Sequence, residues 1–385
     1  MNGPGAQPYP RFSDDEMARR AGALDAAMAE RDVEHAVIYG ANRFGSAVGW
    51  LTRWPVTREA AVVHTPGERD VLLVNFYNHV PNAARIATEA DVRWAGERPG
   101  VSAAAEVERR GGRGTRIGVI GPLGYRTHAA LAALASDVVD MNSGYTRLRL
   151  VKSPEEIDWV RVAAGMTDDA VRALHEQAMP GIDERELGDF VERAYVARGG
   201  TTHIHYFGAT PMDAPAVSVP AQWPSTRPLE RGDALACEIS AAFWEYSAQL
   251  LRTFTVAAEP TGLYRELHDV AEAAFDAIVA RLRAGATAAD LVAASRVIED
   301  AGFTIRDDLV HGFVGGYLPP VLGSSSRALT EVPDFTFEAG MTVVVQPNVV
   351  TEDESAGVQT GELLLVTDDG VERLHDYPRG LQRLA

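Results

Sequence analysis

A chain of 385 residues is longer than one ordinary hydrophobic core, so two domains are expected. With 46% hydrophobic and 23% charged residues it has the make-up of a soluble globular protein. Its formal charge of -18 argues against a nucleic-acid partner, because phosphate binding needs basic surface. No run of about 18 apolar residues occurs, so no membrane-crossing helix is expected. Residues 1–20 lack the apolar stretch of a secretion signal, and the cytoplasm is the expected compartment. Cys237 is the only cysteine, which excludes an internal disulfide and zinc sites built on paired thiolates. Lys152 is the only lysine, which disfavours Schiff-base chemistry and leaves no lysine for a phosphate-binding loop.

The first helix is expected over "SDDEMARRAGALDAAMAERD", which has a capping serine, early acids and helical apolar spacing. Short β-branched runs follow, "HAVIYG", "AAVVHT", "DVLLVN" and "RIGVIG", with helices near 102–110 and 125–136. These form an α/β domain over residues 1–150. A new character starts at "KSPEEIDWVRVAAGMTDDAVRALHEQAM", whose Ser153-Pro154 start and first-turn acids mark a helix N-terminus. "DERELGDFVERAYVARGG" repeats the helical pattern. Strands are expected at 202–207, 234–240 and 248–256, helices at about 262–284 and 287–301, and strands near 342–350 and 361–367.

Taken in order, "LRLVKSPEEIDWVRVAAGMTDDAV", "RPLERGDALACEISAAFWEYSAQLLRTF", "HGFVGG", "FEAGMTVVVQPNV" and "GVQTGELLLVTDDG" resemble the creatinase, aminopeptidase P and methionine aminopeptidase superfamily. The resemblance covers roughly residues 150–370. It implies an α/β (α+β) protein: an N-terminal creatinase-type domain over 1–150 and a C-terminal pita-bread domain over 151–385. It also implies a homodimer.

In the superfamily's metallopeptidases two aspartates, a histidine and two glutamates hold two divalent metals. The matching positions here are Glu238, Gln249, His311, Gln346 and Gly361. Only one of four carboxylates survives. At an effective dielectric near 20, each lost contact forfeits about 4 kcal/mol per unit charge product at roughly 4 Å. A two-metal centre is therefore not expected. Glu362 is the candidate to restore a single-metal site, but an adjacent strand residue faces the other way unless a bulge intervenes.

Creatinase resembles the chain in having two domains and no metal, so the leading expectation is a metal-independent enzyme without cofactor. It would hydrolyse a C–N bond of a small, polar, nitrogen-containing molecule. Creatinase's catalytic histidine matches a position near Ala221 or Gln222, where no histidine stands. Candidate acids and bases are His311, Glu238, and His203 and His205, which two-residue spacing would place on one face of a strand. Gln249 and Gln346 would orient substrate by hydrogen bonds. Tyr206 would line the pocket, as aromatic residues do in creatinase. Trp50 and Arg53, or Arg327, would bind a substrate carboxylate, as the matching N-domain region does across the creatinase dimer.

Each residue also has a bland reading. His311 serves equally as a hydrogen-bonded core histidine, His203 and His205 as ordinary strand residues, and Cys237 and Arg252 as structural groups. Alternative functions are a lyase, isomerase or cyclase, a non-catalytic binding protein, and a divergent single-metal peptidase.

Overall fold

The structure is a computed structural model that describes residues 9–42, 47–327 and 331–385. It falls into two compact units, residues 1–149 and 150–385. Among the described residues, no helix is long and apolar enough to cross a membrane.

The first unit is a six-stranded mixed sheet with helices on it. Its strand order is Asp91–Trp94, Val71–Val74, Glu59–His64, His35–Ala41, Arg116–Ile120, Asp137–Asp140. The four β-branched runs form the buried centre, and Val37, Val63, Leu73 and Ile117 pack in one core. Asp91–Trp94 and Asp137–Asp140 went unread in the sequence. Each has only four residues, lies at a sheet edge and lacks a long apolar run.

The second unit is built on a nine-stranded sheet. Its central path runs Tyr317–Leu322, Val310–Phe313, Thr342–Val345, Gly361–Val366, Tyr246–Val256, Asp233–Phe243, Thr201–Pro211. This is the curled-sheet, pita-bread architecture. The helix Pro154–Gln177 opens with a reciprocal cap: Ser153 Oγ accepts from Glu156 N (3.2 Å) and Glu156 Oε2 accepts from Ser153 N (3.0 Å).

Two expected elements are broken, for local reasons. The helix expected at 287–301 splits into Ala288–Ala294 and Val297–Asp300. Between them Ser295 Oγ donates to Val292 O (2.9 Å), a side-chain bond that competes with the helical ladder. The strand expected over 342–350 splits at Pro347, which has no N–H to offer. Gln346 N donates instead to Leu309 O (2.8 Å), and this fixes the Gln346 side chain beside the histidine strand.

Candidate active site

Strand register decides which side chains meet. Tyr206 pairs with Glu238, Glu238 with Leu251, and Ser240 with Gln249. Gly361 also pairs with Leu251, and His311 pairs with Val344. Cross-strand partners share a face, and alternation along each strand carries that face through. Glu238, Gln249, His311, Gln346 and Gly361 therefore lie on one face of the sheet.

The other face holds Cys237, Ile239, Leu250, Arg252 and Glu362. Glu362 is fully buried, and its carboxylate takes Arg252 Nη2 at 3.0 Å and Arg373 Nη2 at 2.9 Å. These guanidiniums hold its pKa below the ordinary value although burial alone would raise it. No bulge turns Glu362 toward His311, so it does not restore a metal site.

A cavity of about 270 Å³ opens on the first face. Its wall includes Tyr206, Gln222, Glu238, Arg306, Asp307 and Tyr317. The segment carrying Gln222 is pinned to the strand Thr201–Pro211 by Ala221 N donating to Phe207 O (2.8 Å). Gly208 permits this approach, since a Cβ there would lie 3.1 Å from Val219 O. Glu184 fastens the same segment by accepting from Ser225 N (2.6 Å) and Ala209 N (3.3 Å).

Glu238 is buried and accepts a hydrogen bond from Gln249 Nε2. Burial, and then the nearby Asp307 charge, push its pKa up to about 8, against the pull of that bond. Burial also raises Asp307. Asp308 stands well above the carboxylate range, through burial first and then the charges of Asp307 and Glu238. Gln249 Oε1 is buried and has no hydrogen-bond partner among the described residues. Ser240 Oγ, on the neighbouring strand, is in the same condition.

His311 is fully buried beneath Tyr317, with ring centroids 3.9 Å apart and planes at 22°. Its Nδ1 faces Gly312 O (3.2 Å) and its Nε2 faces Gln346 Oε1 (3.2 Å). Gln346 Nε2 lies 2.9 Å from Asp308 Oδ1. Only an imidazolium satisfies two carbonyl oxygens, yet burial holds the ring's pKa down to about 4. A neutral ring with its proton on Nε2 donates to Gln346 Oε1, and Gln346 Nε2 donates to Asp308 Oδ1 and also to Asp308 O (3.3 Å).

The other expected residues are dispersed. His205 pairs with Ile239 on the far face, where its Nε2 lies 3.0 Å from Tyr195 Oη. A register shift between Thr202 and Ile204 separates His203 from it, and the His203 ring meets Phe313 (5.5 Å). Trp50 packs within the first unit against Tyr145 (5.4 Å), and Arg53 pairs with Glu89 (2.8 Å). Arg327 pairs with Glu354, which also holds Arg306 (3.1 Å) at the cavity wall. The sequence reading overlooked Asp307, Asp308 and Tyr317. The signal available was "RDDLVHGF", an acid pair just ahead of the aligned histidine.

The family model described as Metallopeptidase family M24 matches residues 158–368. The chain belongs to metallopeptidase family M24. The Xaa-Pro dipeptidase of Pyrococcus furiosus is 25% identical over 61% of this chain and 65% of that protein, somewhat under two thirds of its length. The ectoine hydrolase of Halomonas elongata is 25% identical over 63% of this chain and 62% of its own. Among solved structures, the Xaa-Pro dipeptidase from Bacillus anthracis superposes with a TM-score of 0.81 at 20% identity. That match covers 96% of this chain and all of the other (100%), and it shows the shared fold.

These findings correct the leading expectation. A metal-independent hydrolase of creatinase type does not stand against a metallopeptidase family match and relatives named Xaa-Pro dipeptidase. The names of these relatives, a dipeptidase and a hydrolase, belong to proteins of which the chain covers 65% and 62%. The anion count behind that expectation was also too low, because Asp307 joins Glu238 on the cavity wall.

The M24 metal pair still does not fit this donor set. Gln249 and Gln346 are amides, and a Cβ at Gly361 would lie 2.5 Å from Val345 O. Among the described residues, no three His, Cys, Asp or Glu side chains group to hold an ion. A single hard cation fits better, because it takes carboxylate and amide oxygens together. Glu238, Asp307 and the orphaned Gln249 Oε1 would supply them.

Proposed function

We propose that this chain is a divergent M24 peptidase that hydrolyses the amide bond of a short, peptide-like substrate in the Glu238 cavity, with one cation in place of the family's pair. The observation that carries the reading is Gln249. Its Nε2 is committed to Glu238, and its buried Oε1 is left as an acceptor beside that carboxylate. Glu238 and Asp307 balance the charge of one divalent ion and fall short for two. Such an ion, when bound, polarises a carbonyl as a Lewis acid.

The chain's own residues bind and orient the substrate. Tyr206 and Tyr317 border the cavity, whose volume suits a molecule of dipeptide size. Arg306, tethered by Glu354, is a cationic group on its wall for a substrate carboxylate. Tyr317 lies over the His311 ring, and the Asp308–Gln346–His311 chain keeps that wall hydrogen-bonded.

The test is turnover of a panel of Xaa-Pro and other dipeptides by protein purified without chelator, compared with Glu238→Gln. Dipeptide hydrolysis lost in Glu238→Gln supports the reading. Hydrolysis of ectoine with no dipeptide turnover would contradict it, as would no hydrolysis of any amide.

A further inference from the structure

We infer that the first unit carries a second binding site, an arginine-lined cleft that takes the oxyanion group of a small molecule. The cleft is an open cavity of about 660 Å³ beside the edge strand Asp91–Trp94. Arg69, Arg93, Arg109 and Arg110 line it, together with the carboxylates Glu68 and Asp91.

Glu106 shows what these arginines recognise. Its buried carboxylate accepts from Arg93 Nη1 (3.0 Å), Arg109 Nε (2.8 Å) and Arg110 Nε (3.0 Å). The guanidiniums are thus already fanned around one oxyanion, as arginine forks are in phosphate and carboxylate sites. Arg69 is placed differently. Its Nη2 donates to the backbone oxygens Thr88 O (2.7 Å) and Ala90 O (3.3 Å), and among the described residues no carboxylate lies within 4 Å of it. Backbone carbonyls take its Nη2 without neutralising its charge, and leave Nε and Nη1 for a ligand.

Around the cleft, four guanidiniums face the three carboxylates Glu68, Asp91 and Glu106. A local positive excess results in a chain of formal charge -18. Arg93 gives Nε and Nη2 to Asp91 and Nη1 to Glu106, and Arg109 gives Nε and Nη2 to Glu106; with 41% and 60% of their side-chain surface open, their remaining N–H groups reach an incoming anion. Arg110 is held from behind by Thr65 Oγ1 (3.0 Å) and Arg69 O (2.7 Å) and supplies a rigid base. The ligand class follows: a phosphate or carboxylate on a small molecule, held by Arg69, Arg93 and Arg109. Nothing in this cleft belongs to the Glu238 cavity.

The experiment titrates the full chain with inorganic phosphate and with acetate at constant ionic strength in chloride, following heat and thermal midpoint. The expected result is saturable binding of at least one of them, weakened at least tenfold in the Arg69→Gln/Arg93→Gln double variant. Tighter phosphate supports a phosphorylated ligand and tighter acetate a carboxylate, at the same arginines. A second readout needs no variant: the bound anion should protect Arg69 and Arg93 of the wild-type chain from phenylglyoxal, read by peptide mass spectrometry. Binding no stronger than the chloride control overturns the site, as does equal binding by the double variant or unprotected arginines at saturation.

Discussion

Gln249 Nε2 donates to Glu238 Oε1 across two paired strands, while Gln249 Oε1 is buried without a partner. An amide so placed holds its neighbouring carboxylate and leaves an acceptor open on the same face. The first prediction concerns that carboxylate. Glu238→Gln removes the charge and keeps the volume, so the ion is lost and kcat/KM for a cleaved dipeptide should fall by about 10²–10⁴, as the several kcal/mol supplied by a Lewis-acid ion imply. In ion-free protein the thermal midpoint should hold or rise, because a buried acid crowded by Asp307 destabilises the folded chain, whereas with the ion present only the wild type gains its binding energy. Steady-state kinetics beside a melting curve checks both halves.

Glu362 should behave in the opposite way. It is buried on the far face between Arg252 and Arg373. Glu362→Gln leaves the Arg252 guanidinium buried without its counter-charge, at a cost of about 3–5 kcal/mol. Activity per folded molecule should change little. Urea unfolding combined with active-site titration separates this pattern from that of Glu238.

A pH response is expected in the first unit from His64. Its ring nitrogens lie 2.7 Å from Asp70 Oδ1 and 2.7 Å from Asp25 Oδ1. Burial lowers its pKa, but the Asp70 and Asp25 carboxylates outweigh burial and the net shift is upward. A raised folded pKa means that the contribution is fully present below the unfolded value near 6.5 and is lost as pH rises through the folded value. Thermal midpoints measured upward from pH 6 should therefore fall more steeply for the wild type than for His64→Gln.

Most of the architecture was legible because periodicity and capping report it directly. Ser153 with Glu156 announced the long helix, and the strand pair around Glu238 and Gln249 was readable by alternation. The resemblance picked out five positions, and the strand registers put them on one face. What the sequence withheld was three-dimensional neighbourhood. Asp307 lies outside any strand, in the loop before Val310–Phe313, so no period assigns it a face, and its place on the cavity wall comes from the chain's turn into His311. His203 and His205 have strand spacing, but the register shift at Thr202 and the Tyr195 hydroxyl on the far face leave neither in the cavity lining. Gly361 looked like a simple loss of a carboxylate, whereas the close Val345 carbonyl leaves no room for any side chain there.

That crowding gives a further expectation. Gly361→Glu should not recreate the family's ligand, because its Cβ would meet Val345 O at 2.5 Å and Gln346 Cα at 2.7 Å. The variant should lose about 1–3 kcal/mol of stability, the usual cost of overpacking, without gaining a bound ion. Denaturant melts and elemental analysis of the purified variant check both.

The most direct measurement is metal content per chain in protein purified without chelator, by mass spectrometry of the elements, taken alongside dipeptide turnover. One divalent ion per wild-type chain is predicted, absent from Glu238→Gln, with turnover rising and falling with occupancy as the ion is removed and restored. Two ions per chain, or full turnover by ion-free protein, would contradict the account.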